Sequence, residues 1–200
     1  MRRQRVLPRA AAAFLALSVL AGAWVARASV SIAATWEGLL RESTAAAIVT
    51  PVEARTVWED GRAYTYTRVL VDRSIAGELG SGDAWIRTMG GIVGKIGQIV
   101  EGEAVLARGR SSLLFLHPGP AGTMAVTARA QGQFPVVADA DPARPARVVR
   151  SNATGVLVPA ATTASSPAAP RLAGDVLHGL AIDEAAREIV ASWGRLHGGR

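Results

Sequence analysis

Two long runs of strand-forming residues joined by an Asp-Gly pair constrain this chain more than any other feature. Thr44 to Val57 is rich in Ala, Val, Ile and Thr, Tyr64 to Asp72 continues in the same style, and Glu59-Asp60-Gly61-Arg62 lies between them. An Asp-Gly pair tolerates the positive φ that tight hairpin turns demand, so the spacing predicts a long antiparallel hairpin. Alternation along the second run puts Thr65, Thr67, Val69 and Val71 on one face and Tyr64, Tyr66, Arg68, Leu70 and Asp72 on the other. The second set mixes apolar and polar groups, as an outward face partly covered by a neighbour does.

The flanking segments extend the β pattern. Ala84 to Met89 reads as a further strand, and the continuous apolar run Ser112 to Leu116 reads as a strand buried on both faces, ended by Pro118-Gly119-Pro120. Met124 to Ala130, Gln133 to Val137 and one or two pieces of Arg147 to Val158 supply shorter strands. Between them, five glycines from Gly90 to Gly102 interrupt Ile92, Val93, Ile96, Ile99 and Val100, which predicts a bent strand, a bulge or a loop folded over a barrel mouth. Trp36, Leu39 and Leu40, with Thr35 as N-cap, predict a short opening helix. Asp183 is read as capping a C-terminal helix whose stripe is Ala186, Ile189, Val190, Trp193 and Leu196, and that stripe needs a surface, for which the barrel is the nearest. Many short strands with glycine punctuation and flanking helices argue a closed or half-closed antiparallel barrel.

The N-terminus carries a different kind of information. Met1-Arg2-Arg3-Gln4-Arg5 is followed by an uncharged Ala, Leu and Val-rich stretch from Ala10 to Ala26, and Ala26-Arg27-Ala28 gives the small-x-small pattern of a cleavage position. That order predicts a secretory signal over residues 1–28, with a signal anchor as the alternative if the leader stays uncleaved. The remaining organisation reads as a β-barrel domain over 29–158, an Ala, Thr, Ser and Pro linker over 159–171, and a helical segment over 172–200. Removal of the leader takes away five arginines and no acid, so 22 basic residues become 17 against 16 acidic and the net charge falls from +6 to +1. The basic balance belongs to the leader, which speaks against nucleic acid as a partner.

The run from Thr44 to Val137 resembles an uncharacterised group of secreted bacterial proteins. The likeness lies in the strand Ala45 to Val52, the Trp58 to Tyr66 hairpin, Arg73-Ser74-Ile75-Ala76-Gly77, Met89-Gly90-Gly91-Ile92-Val93-Gly94, the Leu113 to Leu116 strand and Gln131-Gly132-Gln133-Phe134. The order of these segments is also similar to netrin-like domains, including tissue inhibitors of metalloproteases, which implies an OB-type barrel and a habit of binding other proteins. Those inhibitors work through an N-terminal cysteine and disulfides, and this chain has no cysteine, so their mechanism does not carry over. The resemblance implies no catalytic residue.

Chemistry-bearing motifs are sparse. Gly90, Gly91, Gly94 and Lys95 suggest an anion-cradling loop, yet the Walker spacing fails and Ile96 stands where Ser or Thr is required, so a barrel bend is the simpler reading. Gln131, Gln133 and Phe134 combine amides with an aromatic anchor, as polar recognition does, and equally fit a strand end with Phe134 in the core. His117, His178 and His197 have no second ligand at a fixed offset, so no metal or cofactor is expected. Ser111 and Ser112 lack a nucleophile elbow; a dyad with Lys95, or a pair made of Glu101 and Glu103, would mark a hydrolase, against which stands a solvated turn around Gly102. The expectation is a mainly β, OB-like exported module, secreted or periplasmic, without a catalytic site. It would bind a protein or an envelope component and meet the membrane only transiently through the leader. An exported hydrolase with a dispersed site and a membrane-anchored domain are the alternatives.

Overall fold

The Asp60-Gly61 turn forms as its chemistry requires: Asp60 (φ 48°) and Gly61 (φ 77°) both sit in the left-handed region, and they join strand β2 (Ala45–Glu59) to β3 (Arg62–Gly77). In this computed structural model, which describes residues 30–79, 82–158 and 170–198, the long hairpin is the frame on which everything else is built. Preceding it are β1 (Val30–Ile32) and helix α1 (Trp36–Glu42); following it are β4 (Asp83–Met89), β5 (Gly91–Val93), β6 (Ile96–Gln98) and β7 (Ser112–Pro118). Then come β8 (Met124–Val126), β9 (Gln133–Val137), β10 (Arg147–Val148), β11 (Val156–Val158), α2 (Ala173–Leu177) and α3 (Ile182–His197). The expected leader, with Ala26 and Ala28, and residues 159–169 of the expected linker lie outside the described residues.

Register shifts in the β2–β3 ladder at Ala46/Ala47, Ile48/Val49 and Pro51/Glu53 bend the hairpin, and Pro51 sits at one of them, where its missing N–H does no harm. The bend lets the meander β2–β3–β4 curl until β4 meets β8, β8 meets β7, and β7 returns to β2. This closes a five-stranded barrel in OB order, mainly antiparallel, with one parallel contact at Ile86 and Met124. Strands β9 and β10 continue the sheet beyond β7, and β1 pairs in parallel with β11 as a separate ribbon.

Alternation on β2 and β7 divides the apolar residues between two cores. Ala45, Ala47, Val49, Leu114 and Leu116 point into the barrel with Val69, Ile86 and Val126, while Ala46, Ile48, Leu113 and Phe115 point outward under the helices. That is why Leu113–Leu116 is apolar throughout. Phe115 is the centre of the outer core: its ring meets Trp36 edge-on at 5.9 Å and Phe134 edge-on at 6.1 Å. Thr35 caps α1 through its hydroxyl, which accepts from Gly38 N–H at 3.1 Å.

Helix α3 departs from the expected pattern in two respects. Its N-cap is Ala181, whose N–H is accepted by the Glu184 carboxylate at 3.1 Å, and Asp183 instead pairs with Arg73 on β3. The buried stripe is Ala185, Ala186, Ile189 and Ser192, whereas Val190 is 54% exposed and Leu196 also reaches solvent. Ser192 takes a core position because its hydroxyl accepts the Trp36 indole N–H at 3.0 Å. Replacing Ser192 with alanine strands that buried donor and is expected to lower stability by about 1–3 kcal/mol in urea unfolding. Strand β8 is shorter than the sequence suggests, because Ala128 and Arg129 turn the chain with φ of 54° and 55° and start a 3-10 turn over Arg129–Gly132.

Candidate functional site

The glycine segment forms a small hairpin, β5–β6, laid over the open end of the barrel. Gly94 (φ 60°) makes its turn and leaves Lys95 exposed at the tip. Gly90 (φ 94°) and Gly91 (φ 128°) are the hinge: Gly90 N–H donates to Ala63 O at 2.8 Å, Gly90 O accepts the Thr65 hydroxyl at 2.7 Å, and the Gln98 side-chain oxygen accepts Ala63 N–H at 2.7 Å. Gly91 lies so close to Thr56 and Thr65 that a side chain there has no room. Hydrogen bonds therefore seat the hairpin on the inner face of the extended β2–β3 ribbon, and glycine is needed for the approach.

Beneath the hairpin is a groove of about 460 Å³. Its walls are aliphatic, from Ile92, Ile99, Val100, Val105 and Leu106, and its floor is polar, from Thr65, Thr67, Thr88 and the Glu103 carboxyl. Glu103 is only 8% exposed. Burial pushes its carboxyl above the ordinary carboxylate range; the Ala104 N–H, donated at 3.2 Å, and Arg129, at 3.9 Å, pull the other way. The expected solvated turn around Gly102 thus holds for exposed Glu101 alone. A carboxyl raised on folding loses stabilisation as pH rises from its unfolded value, near 4.5, through its higher folded value. Glu59 and Asp183, held low chiefly by hydrogen bonds from Arg87 and Arg73, act with the opposite sign and lose stabilisation as pH falls through their lowered values. Subtracting the stability–pH curve of Glu103→Gln from that of the parent isolates the first effect, and the difference should become more unfavourable to the parent as pH rises from about 4 to 7.

The second sequence candidate serves this groove indirectly. The Gln133 amide clamps Val105, accepting its N–H at 3.0 Å and donating to its carbonyl at 2.6 Å, so it fixes the wall opposite the hairpin. Gln131 makes the equivalent clamp elsewhere, on Ala34 N–H at 2.7 Å and Ile32 O at 2.9 Å, and thereby secures the segment after β1. Phe134 fills the outer core. Replacing Gln133 with leucine is expected to free the Val105 amide to exchange with solvent faster by about tenfold or more while the barrel amides stay protected.

The structure does not bring the catalytic candidates together. Ser111 shares a 2.7 Å hydrogen bond with Thr50, Ser112 is buried, and neither lines the groove; Glu101 does not line it either. His117 contacts Thr127 at 3.1 Å, His178 accepts Arg150 N–H at 3.2 Å, and His197 stacks on Trp193 at 4.4 Å. No cluster of three or more His, Asp or Glu side chains among the described residues is placed to hold a metal ion. The outer face of β2–β4 carries a ladder in which Arg55 lies over Tyr66 and Trp85, and Arg87 over Tyr64. Its charges are balanced: Arg68 bonds Glu53 and Asp83, and Arg87 bonds Glu59. No known family matches the chain, and neither does any curated protein or solved structure.

Proposed function

We propose that this chain is an exported, non-catalytic module that receives another protein or an envelope component at the mouth of its barrel. The observation that carries the reading is the rim of the groove, where Ile92, Ile96, Ile99 and Val105 stand in solvent, Ile99 at 90% exposure. Trp58, two residues along β2 from Thr56 and on the same face, adds a half-exposed aromatic at this end. Clustered exposed aliphatics of this size mark an interaction surface. Export to the periplasm or beyond is supported by the arginine-led leader and the Ala26-Arg27-Ala28 pattern. The first described strand begins at Val30, two residues past Ala28, so cleavage there leaves every described element intact. No described helix is long and apolar enough to cross a membrane. The balanced charge of the outer face and a net of +1 without the leader support a partner other than nucleic acid.

The test is affinity capture of the C-terminally tagged chain, expressed in full, from the envelope fraction of its own cells. The parent should retain one dominant species and Ile99→Asp should lose it. Equal retention by both, or turnover of a hydrolase substrate by the parent and not by Glu103→Gln, would sink the reading.

A further inference from the structure

Resting on that reading of the barrel mouth, we infer that the partner it receives is a second copy of this chain, whose Lys95 enters the groove and meets Glu103. Access to the polar floor is through an aliphatic collar, so a group that reaches Glu103 must carry a cation or a hydrogen-bond donor at the end of an apolar stem. A lysine side chain has that construction: four methylenes that pack on Val100, Val105 and Leu106, and an ammonium with three donors for the carboxylate and the threonine hydroxyls. The chain contains a single lysine, and it stands exposed at the tip of the β5–β6 hairpin between the exposed Ile92 and Ile96. The same end of the molecule therefore holds both the socket and the group that fits it.

Glu103 keeps acceptor capacity for such a partner. A carboxylate offers about four acceptor positions; that of Glu103, nine-tenths buried, takes the Ala104 N–H at 3.2 Å and faces the backbone of Met89, with Arg129 3.9 Å away, beyond hydrogen-bonding distance. Arg129 lines the neighbouring cavity beside α1 and not the mouth groove, so the groove itself holds no cation facing the carboxyl. A two-fold arrangement places each Lys95 in the other copy's groove and closes the two apolar rims on one another, an isologous contact that leaves no rim uncovered. Charge complementarity between an exposed cation and a buried carboxyl, carried on one end of the same molecule with an apolar rim, is the arrangement a second copy matches.

Sedimentation equilibrium of the purified chain over a roughly hundredfold concentration range tests the inference. The parent should dimerise. Lys95→Glu, which alters only an exposed tip, should weaken the dimer by about tenfold or more, and Ile99→Asp should leave a monomer, each with an unchanged far-ultraviolet spectrum. A parent that stays monomeric overturns the inference, and so does a dimer that survives both substitutions. A dimer lost in Ile99→Asp but unaffected in Lys95→Glu overturns the assignment of Lys95 to the groove. A monomeric parent that still captures a foreign species through the rim would leave the binding-module reading standing while this inference falls.

Discussion

Truncating Phe115 to alanine is expected to remove about 3–5 kcal/mol of stability, at the top of the range for a single core truncation. Its ring is fully buried where β7 passes under the helices, and it holds Trp36 of α1 on one side and Phe134 of β9 on the other in edge-on contacts. Deleting it opens a cavity between three elements that come from distant parts of the chain, so neighbouring side chains cannot close the gap without moving a helix off the barrel. A domain of this size has roughly 5–15 kcal/mol in total, and the variant should therefore unfold at a much lower urea concentration with little change in slope. The inner core does not touch Phe115, and Val69→Ala within the barrel should cost less because only two methyl groups are lost. A Phe115→Ala stability within about 1 kcal/mol of the parent would contradict the two-core description.

The second large effect is local. Gly91→Ala forces a side chain into a backbone conformation with φ of 128° and places its Cβ 2.6 Å from the Thr56 methyl and 2.7 Å from the Thr56 hydroxyl. Strained backbone of this kind costs roughly 1–3 kcal/mol per residue, and the steric conflict adds to it, so the β5–β6 hairpin should lift from the ribbon while the barrel, which makes no use of that hairpin for closure, remains folded. Two amides report the event. Ala63 N–H, donated to Gln98, and Gly90 N–H, donated to Ala63 O, should lose most of their exchange protection, whereas the amides of β7 should keep theirs. The rim then loses its geometry, and association through it should fall by about tenfold or more. Unchanged protection at Ala63 and Gly90 would mean that Gly91 is not the hinge.

The barrel was legible in the sequence because its signals are local. Asp60-Gly61 fixes a turn through two backbone dihedrals, and Leu113–Leu116 is apolar at every position because β7 separates two cores. What stayed hidden depends on partners far along the chain. Ser192 looks like a solvent-facing residue until Trp36, 156 positions away, supplies the indole N–H that justifies its burial, and that exchange rotates the stripe of α3 away from Val190 and Leu196. Gln133 offers no hint that it clamps a backbone 28 residues earlier. Glu103, beside a glycine with φ of 75°, resembles a turn residue by composition, and only barrel closure carries its carboxyl inside. For the glycine segment the sequence left a bent strand, a bulge and a loop over the mouth open together; which one forms, and the groove beneath it, comes from the meeting of the β5–β6 hairpin with the Gln133-clamped wall.

The central claim is that the mouth of the barrel is the surface by which this protein meets its partner. A photo-crosslinking amino acid placed at Ile99, in the cells that make the protein, tests it most directly, with the same probe at Val190 on the exposed side of α3 as the comparison. A discrete crosslinked adduct is expected from position 99 and none from position 190. An adduct from position 190 with none from position 99 would place the interaction on the helical side of the molecule and contradict it.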